Sequence, residues 1–214
     1  MRVFIKEFVK LCTDHLPLTE PIYEFGSLQV TGQKGFADIR EYFKGREFIG
    51  SDIQAGPGVD AVLDLHDINL PAGSVGTAFI LDTLEHVEYP RKAIAEVHRV
   101  LSDNGILVIS SVMKFPIHNY PFDYWRYSPE AFRSLLKPFK NSLVDYAGEK
   151  HFPHTVVGIA GKNLDGVLDQ EDFTRLLGQW KKKWRNPTGS FWKKWSRLCL
   201  PPVLFNLYNK FRGI

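Results

Sequence analysis

Five positions suited to ligand binding lie at or near the ends of short apolar runs. The first run contains Glu24 and is followed by Gly26, and three later runs end at Asp52, Asp64 and Asp82. If the runs are parallel strands, these residues meet at one sheet edge, where open α/β sheets bind ligands. Clustered like charges repel, so a cationic or polyhydroxylated ligand accounts for them better than a purely structural role. Asp52 can accept both hydroxyls of a ribose, although the acids could also be solvated loop residues or helix caps.

A second group of reactive side chains follows the fifth apolar run. Ser128 can cap a helix whose first residue is Pro129, so residues 118–126 are predicted to form a loop over the same sheet edge. His118 is the favoured catalytic base, because an imidazole with a pKa of about 6.5 suits proton removal near neutrality. Asp123 is the second catalytic candidate. A structural role for His118 is the alternative.

The same region supplies residues that could hold an acceptor molecule. Arg126 could bind a carboxylate or phosphate, and the rings of Tyr120 and Tyr124 could stack on a sugar. His86 is a further substrate-binding candidate, although packed or hydrogen-bonded histidines are common. Arg126 and Asp123 could instead pair only with each other and fix the loop.

The elements that must position these residues alternate between strands and helices. Pro90 begins the clearest helix, Pro90–Leu101, and Asn104-Gly105 follows it. The last two strands are too close in sequence for a helical crossover, so they are predicted to form an antiparallel pair at the sheet edge. The predicted strands are Ile22–Phe25, Glu47–Ile53, Val62–Leu65, Val75–Leu81, Ile106–Val112, Ser142–Ala147 and Thr155–Ile159.

The order of these motifs resembles class I S-adenosylmethionine-dependent methyltransferases over roughly residues 20–160. The residues that carry the resemblance are Glu24-x-Gly26, Asp52, Asp64-Leu65, Leu84-Glu85-His86-Val87 and the stretch from Glu96 to Leu107. The resemblance implies a Rossmann-like α/β fold: a seven-stranded, mostly parallel sheet with a terminal antiparallel hairpin and helices on both faces.

The resemblance also implies S-adenosyl-L-methionine as cofactor. Glu24 and Gly26 would lie beside its methionine and sulfonium part, Asp52 would take the ribose hydroxyls, and Asp64 with Leu65 would hold the adenine. Three neighbours of these residues complete the predicted cofactor site: Ser27, Ile53 and Asp82. Residues 27–31 lack the family's alternating glycines, a loss that a nicotinamide cofactor, with its pyrophosphate, would tolerate less well.

The charge distribution separates a body from a tail. Ten of the 27 Lys and Arg residues lie after position 174, where Asp and Glu are absent, and four of the five Trp lie there too. We predict a methyltransferase domain at residues 1–165 and a basic, Trp-rich amphipathic helical tail at 166–214. Residues 173–214 could contact an anionic membrane surface, pack on the body or on a partner, or bind nucleic acid, the last being less favoured.

Other features exclude several classes of protein. With 44% hydrophobic residues the chain can bury a core, and its two cysteines provide no disulfide framework. His151 and His154 have no third ligand nearby in sequence, so no metal site is predicted. A cytoplasmic location is expected, with peripheral contact to the cytoplasmic membrane face as a further expectation.

The predicted function is methyl transfer from S-adenosylmethionine to an oxygen of a saccharide, lipid-linked glycan or similar polar molecule. The pattern from His118 to Glu130 resembles a subgroup associated with cell-surface glycan assembly, which suggests polysaccharide biosynthesis. An RNA methyltransferase and a non-catalytic binding module with a degenerate cofactor loop are the alternatives. The sequence leaves the acceptor, the methylated atom and the oligomeric state open.

Overall fold

A computed structural model describes residues 2–29, 35, 37–118, 122–163 and 170–185. Seven strands form one sheet in the order β3-β2-β1-β4-β5-β7-β6. The strands are β1 (Ile22–Phe25), β2 (Phe48–Asp52), β3 (Ala61–Val62), β4 (Val75–Leu81), β5 (Leu101–Val112), β6 (Asn141–Glu149) and β7 (Phe152–Gly161). The helices are α1 (Val3–His15), α2 (Pro90–Val100), α3 (Pro129–Leu135) and α4 (Gln170–Lys183), with 3₁₀ turns at Arg40–Phe43 and Leu84–His86.

The sheet has the predicted topology. Strands β3, β2, β1, β4 and β5 are parallel, and β7 runs antiparallel between β5 and β6. The chain moves from β1 to β2 on one side and later to β4 on the other. Strand order therefore reverses at β1, and the crevice outside the carboxyl ends of β1 and β4 is the position where sheets of this kind bind ligands.

Helices cover both faces of the sheet, as expected. On one face, α2 buries Ala93, Ile94, Val97 and Val100, which recur at helical spacing. Helix α3 lies on the same face and begins as predicted, with the Ser128 Oγ accepting a hydrogen bond from Ala131 N at 3.2 Å and Pro129 in the first turn. On the other face, α1 and α4 share a second apolar core with strands β4, β5 and β7.

Three local expectations differ from the structure. The third strand is only Ala61–Val62, because the next residues turn: the Asp64 Oδ1 accepts a hydrogen bond from His66 N at 2.8 Å, a short-range bond that competes with strand pairing. The fifth strand begins at Leu101, not at Ile106, so the predicted helix ends at Val100 and Asn104-Gly105 lies within β5. Helix α1, which the sequence analysis did not identify, covers one face of the sheet.

The first part of the predicted tail is a helix that packs into the body. In α4, Phe173, Leu177 and Trp180 are buried, and the Trp180 Nε1 donates to the Phe4 carbonyl at 2.8 Å. The rest of the predicted tail after residue 185 lies outside the described residues. Within the described parts of the chain, no helix is long and apolar enough to cross a membrane.

Candidate functional site

Glu24 lies near the end of β1, the strand at which the strand order reverses. Its side chain is 4% exposed, and among the described residues its carboxyl has no hydrogen-bond partner. Burial, with a further contribution from Asp38 against the opposing charge of Arg40, raises the pKa of Glu24 to about 8. A buried carboxyl without a partner favours a ligand that brings a cation or hydrogen-bond donors.

Gly26 brings the ends of β1 and β4 together. Its φ of +89° is in the region that favours glycine, and a Cβ at this position would lie 2.1 Å from the Thr83 Oγ1. The Thr83 hydroxyl donates to the Leu81 carbonyl at 3.1 Å. The requirement for glycine here therefore comes from contact between two strand ends, in addition to the turn itself.

Asp52 ends β2 beside this crevice. One carboxylate oxygen, Oδ1, accepts from Gln54 N at 3.0 Å, and the other is 3.4 Å from Leu28 N. The adjacent Ile53 is 57% exposed, which is high for an isoleucine at a strand end. A carboxylate held by backbone N–H groups next to an exposed aliphatic side chain suits a ribose with an attached flat base.

The other residues predicted to bind cofactor have different surroundings. The Ser27 Oγ donates to the Gly58 carbonyl at 2.9 Å, so Ser27 fastens the loop after β1 to the loop after β2. The Asp64 Oδ1 is also 2.8 Å from the His66 Nδ1. Leu65 is 8% exposed and belongs to the core. Asp64 is thus the accessible member of the Asp64-Leu65 pair.

Asp82, at the end of β4, forms an ion pair that the sequence analysis did not anticipate. The Arg2 guanidinium approaches both of its oxygens, at 2.7 Å from Nη2 and 3.1 Å from Nε. Although burial opposes it, the charge and hydrogen bonds of Arg2 hold the pKa of Asp82 below its ordinary value, with help from Ser110. Asp82 has a φ of +50°, a backbone conformation that is rare outside glycine.

Glu85 is fully buried three residues further on. Its Oε2 accepts from the Ser111 Oγ at 2.6 Å, whereas Oε1 is buried and has no hydrogen-bond partner among the described residues. Burial and the nearby Asp82 charge raise the pKa of Glu85 to about 8. A second buried acid therefore lies under the sheet edge, with one oxygen that lacks a partner among the described residues.

The loop after β5 is held on the 3₁₀ turn Leu84–His86 by backbone hydrogen bonds. The Glu85 carbonyl accepts from Tyr124 N at 2.8 Å and from Trp125 N at 3.2 Å. The Trp125 Nε1 donates to the Val87 carbonyl at 2.9 Å, and the Tyr127 hydroxyl donates to the Leu84 carbonyl at 3.0 Å. These bonds place residues 124–127 over the sheet edge.

The docked loop brings His118 against His86. The ring centroids are 4.7 Å apart in a T-shaped arrangement. The His118 Nδ1 is 3.0 Å from the Asp123 Oδ2, which also accepts from His118 N at 2.7 Å. Burial and the neighbouring His86 lower the pKa of His118 below 6.5, and Asp123 opposes this shift.

Asp123 and Arg126 pair with each other, the alternative considered from the sequence. The Arg126 Nη2 is 2.7 Å from the Asp123 Oδ2, and the same guanidinium donates to the carbonyls of Phe115 and Pro116. Burial acts to raise the pKa of Asp123, but Arg126 and the His118 N–H hold it at about 2. These contacts suit a residue that orients His118, and they commit Arg126 to the loop.

Exposed aromatic rings surround this cluster. Phe122, Tyr124 and Trp125 are 60%, 41% and 44% exposed, and Tyr89 nearby is 60% exposed. The rings of Phe122 and Tyr124 are 5.8 Å apart. Tyr120, predicted to bind substrate, lies outside the described residues.

Three residues that contribute to the site were not singled out for it in the sequence. Arg2 is the residue before α1, Ser111 lies next to the last residue of β5, and Thr83 follows the end of β4. The Phe4, Ile5, Phe8, Val9 and Cys12 spacing is typical of an amphipathic helix and could have indicated α1. No local pattern indicates the Arg2 to Asp82 or Ser111 to Glu85 contacts.

The strand order and the helices on both sheet faces identify the fold as the Rossmann-like methyltransferase fold. Residues 39–109 match the family model described as a methyltransferase domain. This matched segment contains Asp52, Asp64, Asp82 and Glu85, whereas Glu24 and His118 lie outside it. A comparison with curated protein sequences gives no match.

Solved structures with this fold resemble the chain at low sequence identity. A SAM-dependent methyltransferase from Archaeoglobus fulgidus is 15% identical, with a TM-score of 0.58 over 75% of this chain and 94% of that one. A possible histamine N-methyltransferase from Thermotoga maritima is 16% identical, with a TM-score of 0.53 over 76% and 100%. An S-adenosylmethionine-dependent methyltransferase from Mesorhizobium loti is 17% identical, with a TM-score of 0.51 over 72% of this chain and 97% of that one.

The domain match and the fold imply S-adenosyl-L-methionine as cofactor, and the residues present fit it. Glu24 is a buried acid suited to the ammonium group of the methionine part. Asp52 is suited to the ribose hydroxyls and Ile53 to the adenine face. Gly26 lets the ends of β1 and β4 approach each other, since a Cβ there would collide with Thr83.

Proposed function

We propose that this protein is an S-adenosylmethionine-dependent methyltransferase. The observation that carries the proposal is the placement of a buried, unpartnered Glu24 and a rim carboxylate, Asp52, at the ends of adjacent strands beside the point where strand order reverses. When bound, the cofactor supplies a methyl group activated by a sulfonium. The protein then has to hold the acceptor in line and help remove its proton.

The acceptor proposed is a saccharide or similar polar molecule with a hydroxyl group. Exposed rings at Tyr89, Phe122 and Tyr124 offer faces on which a sugar ring can stack. His118 lies beside them and is suited to take the proton of the hydroxyl, while Asp123 fixes its Nδ1 side. Asp123 and Arg126 form an ion pair with each other, so we assign them to positioning His118 and the loop.

Substitution of Asp52 by Ala tests the cofactor site. Asp52→Ala removes the carboxylate that would accept hydrogen bonds from both ribose hydroxyls, so affinity for S-adenosylhomocysteine should fall by about 2 kcal/mol, or roughly 30-fold. Calorimetric titration of the purified protein measures this change.

Asp103→Ala is the matched control for the loss of a carboxylate. Asp103 is exposed near the amino end of β5, on the sheet edge opposite the site, and its substitution should leave the affinity unchanged. If the wild-type protein is folded and binds no S-adenosylhomocysteine, the methyltransferase proposal is wrong, and a binding module with the same fold takes its place. Methyl transfer from labelled S-adenosylmethionine to saccharide acceptors then tests the substrate class.

Cofactor affinity is expected to rise with pH through Glu24. The carboxyl has a pKa of about 8 in the free protein, so below pH 8 it must release a proton to pair with the ammonium group. The association constant should therefore fall by up to about tenfold for each pH unit below 8. Titrations of S-adenosylhomocysteine between pH 6 and pH 7.5 measure the slope.

The Glu24→Gln variant should bind S-adenosylhomocysteine more weakly, and its affinity should lose most of this pH dependence. This result would distinguish titration of Glu24 from titration of the ligand. The exposed acid Glu41 provides the control, and Glu41→Gln should retain the wild-type slope. A wild-type affinity that is independent of pH would contradict the proposed pairing.

A further inference from the structure

Three side chains with metal-binding chemistry meet beneath the docked loop. One carboxylate oxygen of Glu85 and one ring nitrogen each of His86 and His118 all lie within 4.8 Å of one another. Glu85 and His86 belong to the 3₁₀ turn after β4, and His118 comes from the loop after β5. The loop's hydrogen bonds to this turn therefore assemble the cluster.

Glu85 lacks the charge partner that neighbouring acids have. Asp82 is paired with Arg2, and Asp123 is paired with Arg126. Within the described residues Glu85 has no ion pair, and its fully buried Oε1 has no hydrogen bond. A buried carboxyl oxygen is normally satisfied by a donor or a cation, so this atom indicates a missing ligand.

Both histidines are oriented through their Nδ1 atoms. The His86 Nδ1 lies 2.5 Å from the Phe122 carbonyl, and the His118 Nδ1 contacts the Asp123 carboxylate at 3.0 Å and the Pro116 carbonyl at 3.2 Å. Metal-binding histidines characteristically have one ring nitrogen held by a carbonyl or carboxylate, which fixes the tautomer in which the other nitrogen coordinates. The two rings here have such support.

We propose that Glu85, His86 and His118 bind one divalent transition-metal ion of the zinc type. Two imidazoles and one carboxylate suit Zn²⁺ or Co²⁺, whereas Mg²⁺ and Ca²⁺ prefer oxygen ligands. Ligand distances of about 2.1 Å require the three atoms to close to roughly 3–3.5 Å of one another. Both histidines are partly exposed, whereas Glu85 is buried.

The role of the ion in turnover rests on the proposed methyltransferase function, but its binding does not. An acceptor hydroxyl coordinated at an open position would lose its proton to solvent more readily, because the cation stabilises the resulting oxyanion. His118 would then act as a ligand and not as the base. This role depends on the same docked loop that brings the aromatic rings to the site.

Metal titration of the full chain, after removal of adventitious ions with a chelator, tests the inference. We expect one Zn²⁺ per chain, measured by competition with a chromophoric chelator, and a visible absorption band when Co²⁺ is added instead. Glu85→Gln, His86→Ala and His118→Ala should each weaken Zn²⁺ binding by about 100-fold or more, since even the loss of an outer-shell partner costs about 10–100-fold. Millimolar Mg²⁺ should not displace the bound ion.

The exposed imidazole of His151 supplies the control, and His151→Ala should bind Zn²⁺ as the wild-type protein does. Weak, non-stoichiometric Zn²⁺ binding by the wild-type protein would overturn the inference, as would full affinity in a folded His118→Ala variant. The Co²⁺ spectrum of the wild-type protein reports coordination directly, so a variant that fails to fold does not remove the test. Both measurements omit S-adenosylmethionine, and cofactor titration of the metal-free protein tests the methyltransferase proposal separately.

Discussion

Replacing Arg2 by Ala is expected to lower the free energy of unfolding by about 3–5 kcal/mol, because the change leaves a buried charge without its partner. The Arg2 side chain is 4% exposed and that of Asp82 is 17% exposed. Arg2 also donates to the His154 carbonyl at 3.4 Å and lies 4.7 Å from the centre of the Phe4 ring. Urea unfolding followed by circular dichroism measures the change.

A double-mutant cycle separates the contribution of the Arg2–Asp82 ion pair from the loss of Arg2 side-chain packing. Asp82→Asn in the Arg2→Ala background removes the uncompensated carboxylate, so the double variant should be more stable than the sum of the two single changes predicts. Arg133→Ala breaks an exposed pair with Glu130 and should cost less than about 1 kcal/mol. An Arg2→Ala effect as small as that of Arg133→Ala would contradict a structural role for the buried pair.

Replacing Trp180 by Ala is expected to destabilise the whole fold by about 3–5 kcal/mol, the usual cost of truncating a buried aromatic residue. Trp180 is 4% exposed, and its ring centre is 5.6 Å from that of Phe8 in α1. The variant also removes the hydrogen bond from the Trp180 Nε1 to the Phe4 carbonyl. The unfolding transition of the sheet, followed by far-ultraviolet circular dichroism, should shift to lower urea.

The controls for Trp180 lie on the same helix. Lys182→Ala, at an exposed position two residues away, should change stability by less than about 0.5 kcal/mol. Trp180→Phe keeps most of the packing and loses the hydrogen bond, so its effect should lie between the two. An unchanged transition in Trp180→Ala would mean that α4 belongs to a separate module and not to the body.

These two predictions concern contacts that the sequence did not reveal. Arg2 and Asp82 are 80 positions apart, and Trp180 and Phe4 are 176 apart. The sequence shows that Trp180 lies on an apolar helical stripe, but such a stripe is equally compatible with a membrane surface and a protein core. Only the placement of α4 beside α1 identifies what covers it.

The sequence predicted an open α/β sheet that ends in an antiparallel pair, and it predicted most of the strand positions. Strands β1 and β4 have the predicted bounds, and the short β6 to β7 connection forced an antiparallel pair. Ser128-Pro129 fixed the start of α3 because capping depends on local hydrogen bonds. The same logic placed Glu24, Gly26, Asp52 and Asp82 at one edge, since parallel strands end on the same side of a sheet.

Tertiary contacts determine which of the acids at this sheet edge have an ion-pair partner. Asp82 and Glu85 are both acids after β4, yet Arg2 neutralises Asp82 while Glu85 keeps a buried oxygen without a partner. The tertiary structure also brought His118 to His86, through backbone bonds that no side-chain pattern encodes. Local sequence specifies periodicity and caps, but a pairing between distant residues depends on the packing of whole elements, which is settled only when the sheet and its helices assemble.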